Sequence, residues 1–205
     1  MAPASHTFLG GVQIDSDGAT CVPGLFAAGE VTGGVHGADR IGGCAGAETL
    51  VFGGQAGRAA GRYARECCVL PKADVTPYRD LYQELTNRQG DVNASELTDR
   101  LAETMSQNVG ILRDEEGLKT ALAEVTALKE QWKLAKAEEK PDELYGCRNL
   151  LTVAHMQVQA SLLRKESRGV FSRVDYPQRD DINWKKNLVF CRQDEELVWE
   201  TQEVG

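Results

Sequence analysis

Long apolar runs are missing from this sequence. No stretch approaches the roughly 20 residues that cross a bilayer, so no transmembrane segment is expected. Clustered Lys and Arg are missing too. The net charge is -8 and the pI about 5.0, which excludes nucleic acid as the main partner, because phosphate contacts need concentrated positive charge. The opening Met1 to His6 has neither the basic nor the apolar region of a secretory signal. Six cysteines are present, none in a C-x-x-C spacing. A 205-residue chain with 41% hydrophobic residues needs no disulfide staple, so free thiols in a reducing cytoplasm are expected. Adjacent Cys67 and Cys68 read as neighbours near a helix end rather than as a redox pair. No metal-ligand spacing occurs, and no Ser or Cys nucleophile has a base set beside it by motif.

What is present is unevenly distributed. Fifteen of the 21 glycines lie in residues 1–61, whereas residues 91–167 are charged and helix-forming. Gly11 to Asp15 reads as a short strand, Ser16 to Ala19 as a turn, and Val22 to Ala28 as a strand apolar on both faces, as parallel strands are. A glycine-dense loop, Gly29 to Gly46, precedes a helix rich in small residues. Glycine costs a helix about 1 kcal/mol against alanine, so four in this helix suggest a need for close packing. Pro71 to Pro77 reads as a linker. Val92 to Met105 predicts one or two helices. Asp114 to Glu138 predicts a long one with Leu118, Leu122, Val125 and Leu128 inward. Leu144 to Lys165 predicts another, with Leu150, Val153, Ala154, Val158 and Leu162 inward and His155 packed in the core. A strand at Asn187 to Cys191 is expected to pair with Leu197 to Trp199. The fold class is therefore α/β at the start, then a three-helix bundle, then an irregular tail. The expected divisions are 1–70, a linker and short helix at 71–90, the bundle at 91–168 and the tail at 169–205.

Chemistry concentrates between Val22 and Gly61. A buried strand ending in Gly29-Glu30 sets a carboxylate where ligands of doubly wound sheets bind, able to accept hydrogen bonds from ribose or ribityl hydroxyls. The next loop brings His36 and Arg40 into the same space. The helix after it aims its positive end there, near Cys44 to Ala47, which favours negative charge. Glu166, Arg168, Arg173, Asp175, Asp180 and Asp181 read as structural ion pairs and hydrogen bonds that dock the tail onto the bundle and onto the glycine-rich first domain.

Six stretches in order carry a resemblance: His6-Thr-Phe-Leu-Gly-Gly-Val12, Val22 to Glu30, Val35 to Gly43, Asn108-Val-Gly-Ile111, Arg164 to Gly169, and Arg173 to Asp181 with Trp184. They resemble the succinate dehydrogenase and fumarate reductase flavoprotein family, which includes L-aspartate oxidase. The resemblance implies an FAD-dependent oxidoreductase that moves hydride between flavin and a small carboxylate substrate. It implies that Glu30 holds the ribityl part of FAD, that Gly29, Gly43, Ala45 and Gly46 belong to the cofactor site, and that His6 and Arg40 bind substrate carboxylates; His36 beside them stands either as a further substrate ligand or as a residue that structures the loop. Arginine suits that task because its planar fork pairs bidentately with a carboxylate.

This sequence departs from the family where members often read A-N-R-L-G-G-N-S-L. Here Asp39 stands beside Arg40, Cys44 replaces an amide, and Glu48 falls close to the flavin edge, so a succinate or fumarate substrate does not follow. The family's G-x-G-x-x-G, which binds the FAD pyrophosphate, and its capping domain find no counterpart. The chain is therefore expected to be the C-terminal half of a longer or split enzyme, inactive alone. Its expected partners are the missing N-terminal FAD-binding and capping half and an iron–sulfur electron-transfer subunit. Its expected location is cytoplasmic, at the inner membrane face through partner subunits. A second reading stands beside this one: a non-catalytic fragment, or a helical docking module for the iron–sulfur partner.

Overall fold

The computed structural model describes residues 6–67, 73–137, 140–193 and 196–204. Cys68, the first residues of the expected linker, and Glu138-Glu139 lie outside them. The chain divides into two compact units, Met1–Lys72 and Ala73–Gly205.

The first unit is built on one helix, α1 (Cys44–Glu66). Gly43 starts it at φ 85°, in the left-handed region that glycine adopts without strain. Ala56 and Ala59 on α1 are buried, and the Asp15 to Gly18 turn packs against Ala56. Arg62 pairs with Asp17 at 3.0 Å, and the Tyr63 ring meets Phe26 edge-on, centroids 6.0 Å apart. The two strands expected before the helix do not form. Val12 bridges Thr32 and Ala19 bridges Phe26, each as an isolated pair, and Val22 and Leu25 are each 52% exposed. A strand needs a hydrogen-bonded neighbour along its length, and no described residues supply one here. The Val12 to Thr32 bridge brings two backbones together so closely that a Cβ at Gly11 would overlap the Val31 carbonyl.

The second unit begins with α2 (Thr76–Asn87), so the expected linker gives way to a helix with Pro77 in its first turn, where a missing N–H costs nothing. The bundle follows: β1 (Val92–Asn93), α3 (Ala94–Asn108), β2 (Leu112–Arg113), α4 (Glu115–Trp132), β3 (Ala135–Lys136) and α5 (Pro141–Leu163). Asp114 caps α4 by accepting from the Gly117 amide at 2.8 Å. Short parallel pairs clamp both ends of the bundle: β1 with β3, and β2 with β4 (Ser172–Arg173). The α5 core face differs from the expected one. Leu144, Cys147, Leu151, Ala154, Val158 and Ser161 are buried, whereas Leu150 is 50% and Val153 53% exposed. The buried set alternates steps of three and four, the seam spacing of packed helices, and includes a thiol and a hydroxyl that hydrophobicity alone passes over. His155 is half-buried beside this seam, and burial, then the Lys129 charge, hold its pKa below the ordinary value. One core cluster joins Leu144, Cys147, Leu151 and Ala154 to Leu85, Leu97, Leu101, Val125 and Leu128, and a second gathers Val158 with Val109, Leu118 and Ala121.

The tail is more ordered than expected. A short helix, α6 (Asp181–Trp184), is capped by Asp180, and a hairpin of two eight-residue strands pairs β5 (Lys186–Gln193) with β6 (Glu196–Glu203) antiparallel, Phe190 opposite Trp199. The acidic and basic residues read as structural form a buried network. Glu166 is fully buried and accepts from Arg164 at 2.6 Å, Arg168 at 2.8 Å and the Asp180 amide at 2.9 Å. Arg173, 1% exposed, forks onto Asp175 at 2.7 and 2.6 Å and donates to the Ser161 carbonyl. Asp175 in turn accepts from the Glu115 amide at the start of α4. Among the described residues no helix is long and apolar enough to cross a membrane.

Candidate functional site

Glu30 is the centre of the candidate site. It follows Gly29, which is buried at φ 87° against Thr49 of α1. The Glu30 carboxylate is exposed and accepts from the Phe8 amide at 3.0 Å. That amide and then the Thr7 hydroxyl hold its pKa below the usual carboxylate value against the opposing effect of burial, and the charges of Arg40 and His6 add smaller lowering effects. Glu30, Arg40 and His6 therefore share one electrostatic neighbourhood, although 34 positions separate His6 from Arg40 in sequence.

Arg40 is half-buried, and its Nε is buried without a hydrogen-bond partner. No ion pair joins it to Asp39 among the described residues. Buried polar groups are nearly always paired, so this nitrogen marks a place where a ligand could complete the site. Gly43, Ala45 and Gly46 lie where α1 starts. No side chain caps that end and no acid stands in its first turn. Gly42, Gly43 and Gly46 have open space where a side chain would project.

His36 is turned elsewhere. Its Nε2 lies 2.8 Å from Glu48 Oε2, and these side chains are 15% and 4% exposed. The other Glu48 oxygen receives Thr32 Oγ1 at 3.4 Å, and the same hydroxyl donates to the Gly29 carbonyl at 2.8 Å. Thr32 and Thr7 were not among the residues expected at the site. The sequence signal for Thr32 was its place two residues after Glu30. Glu48, expected at the flavin edge, is engaged from inside the protein. Two hollows of about 300 Å³ lie in the second unit, one beside Asn108 and Asp114, the other beside Thr98 and Cys147. Neither includes Glu30 or Arg40.

Comparison with known proteins matches residues 98–204 to the fumarate reductase flavoprotein C-terminal model and residues 1–45 to an FAD binding domain. An uncharacterized FAD-dependent oxidoreductase of Methanocaldococcus jannaschii is 35% identical over 92% of this chain, which spans 35% of that protein. The fumarate reductase flavoprotein subunit of Haemophilus influenzae is 32% identical over 92% of this chain, which spans 34% of it. The solved quinol fumarate reductase of E. coli superposes with a TM-score of 0.91 at 28% identity, covering 98% of this chain and 37% of that one. The chain thus spans about a third of the length of the relatives it matches. The Glu30 neighbourhood fits the cofactor of that domain model. An exposed acid can accept from hydroxyls, an uncapped helix start favours negative charge, and the glycines beside it leave room for a flat group.

Proposed function

Because this chain belongs to the fumarate reductase flavoprotein family, whose C-terminal model it matches over residues 98–204, we propose that it forms the C-terminal part of an FAD-dependent oxidoreductase acting on a carboxylate-bearing substrate. The observation that carries the reading is the shared neighbourhood of Glu30, Arg40 and His6, with the Arg40 Nε left unpaired. When bound, FAD supplies hydride exchange with a substrate carbon next to a carboxylate. The chain's own groups hold and orient. Glu30 accepts hydrogen bonds from the hydroxyls of the cofactor's sugar-like chain. The start of α1, at Gly43, Ala45 and Gly46, faces developing negative charge with its dipole. Arg40 takes a substrate carboxylate bidentately, and His6 takes a second polar contact at the same substrate.

Under this reading the partners are an N-terminal FAD-binding and capping half and an iron–sulfur subunit that exchanges electrons with the flavin. Relatives named as flavoprotein subunits of fumarate reductase support an assembly of several chains. The test is reconstitution. The chain joined to such an N-terminal half and purified should show flavin absorbance, and a colourless product would end the proposal. In that flavoprotein Arg40→Ala should lower kcat/KM by about 100-fold, the scale of a lost charge-assisted pair. Unchanged kinetics would remove Arg40 from the substrate site.

A further inference from the structure

The loop from Gly33 to Gly43 carries Arg40 and has little to hold it still. Five of its residues are glycine. Val35 is 37% and Ile41 76% exposed, so apolar burial does not anchor its middle. Its backbone is tied at the ends, by Gly33 N to the Val12 carbonyl and by Cys44 N to the Ile41 carbonyl, and in between by a long turn bond from Gly37 N to the Gly34 carbonyl at 3.4 Å. Among the described residues, one side-chain hydrogen bond leaves this loop, from His36 to Glu48 at 2.8 Å.

That bond is well placed to govern the loop. Glu48 is 4% exposed at its side chain and sits in α1, one turn beyond the helix start. The Thr32 hydroxyl has a single proton, and its shorter bond goes to the Gly29 carbonyl, 2.8 Å against 3.4 Å to Glu48. His36 is therefore the principal partner of a buried carboxylate, and removing one side of such a pair strands the other. The same contact occupies His36 Nε2, which is then not offered to a substrate. Arg40, four residues on, keeps a buried unpaired Nε, a costly arrangement that persists only where the surroundings impose it.

We infer that His36 and Glu48 form a clasp that holds the glycine loop on α1 and so presents Arg40, making His36 a positioning residue and not a substrate ligand. The substrate half of this statement rests on the proposed function above; the clasp rests on the geometry alone.

Arg40 supplies its own reporter, being the one Lys or Arg in the loop and hence its one trypsin site. Cleavage inside a folded protein requires local opening, so its rate follows the open population. In the 205-residue chain, His36→Ala and Glu48→Ala should each speed cleavage after Arg40 about tenfold, with cleavage after Arg100 unchanged. The double variant should be no faster than either single one, because each removes the same interaction. His36→Gln, whose amide can still donate to Glu48, should restore slow cleavage. If the alanine variant fails to fold, His36→Asn, too short to reach, gives the same readout. In the flavin-loaded protein completed by its N-terminal half, His36→Ala should weaken binding of malonate about tenfold, read from the flavin absorbance, with FAD retained. Unchanged cleavage in His36→Ala, or additive effects in the double variant, would overturn the clasp and leave the functional reading standing. Fast cleavage in the variants of a chain whose completed form holds no flavin would overturn the functional reading and leave the clasp. Fast cleavage with unaltered malonate binding would overturn the positioning of Arg40.

Discussion

Arg173 illustrates how much one buried side chain can hold at the residue scale. It forks onto Asp175 and donates to the Ser161 carbonyl while almost wholly removed from solvent. Arg173→Ala would strand a carboxylate and a carbonyl together, and a broken buried pair costs about 3–5 kcal/mol. We expect a correspondingly lower urea midpoint for the second unit; a shift smaller than that of a surface variant such as Lys133→Ala would contradict it. The carboxylates of this network also set a pH dependence. Burial alone would raise the Glu166 pKa, but the Arg168 and Arg164 hydrogen bonds and the Asp180 amide outweigh it and hold it low. Asp175 is held low first by Arg173. A carboxylate with a depressed folded pKa stabilises the fold above its unfolded value, and that contribution is lost as pH falls through the folded one. Stability should therefore be full near neutral pH and decline once pH drops below the ordinary carboxylate range. Denaturant titrations at stepwise lower pH check this, and Glu166→Gln should give a lower plateau with a shallower decline. At the candidate site the residue types were legible from sequence, because Gly29-Glu30, His36 and Arg40 stand in recognisable order. The side-chain bond that captures His36 was not, since it depends on α1 bringing Glu48 back against the loop.

Elements show which face of a helix matters. Along α5 the buried positions step by three and four through Leu144, Cys147, Leu151, Ala154, Val158 and Ser161. Leu150 and Leu151 are adjacent and chemically identical, yet one is 50% and the other 1% exposed. Leu151→Ala should cost about 2–5 kcal/mol, the range for a truncated core leucine, and Leu150→Ala about 0.5 kcal/mol or less. Equal losses in urea unfolding would show that the seam is drawn wrongly. The start of α4 offers a smaller test. Asp114→Ala removes the acceptor for the Gly117 amide and should cost about 1 kcal/mol. The helices themselves were readable because their apolar residues repeat at helical spacing and Asp114, Pro141 and Glu115 mark their starts. The seam of α5 was misread because Leu150 and Val153 outrank Cys147 and Ser161 in hydrophobicity, while packing against α3 and α4 rewards position.

The whole molecule consists of two unlike units. Every large aliphatic residue of the described core lies between Leu85 and Val158, within the second unit. Among the described residues of the first unit the buried apolar side chains are Ala56 and Ala59, while Leu50, Ile41 and Val51 are 81%, 76% and 59% exposed. Residues 73–205 expressed alone should therefore fold cooperatively, with a single urea transition by circular dichroism and by tryptophan fluorescence. Separate transitions by the two probes would contradict an independent core.

Periodicity, turn residues and motif order are local properties, and they alone determined the bundle helices, the terminal hairpin and the family resemblance. Tertiary structure decided what depends on neighbours distant in sequence. It left Val22 to Ala28 without a ladder, chose the buried face of α5, and turned His36 toward Glu48. Each of these is settled by which surface another segment covers, and no single stretch of sequence carries that information.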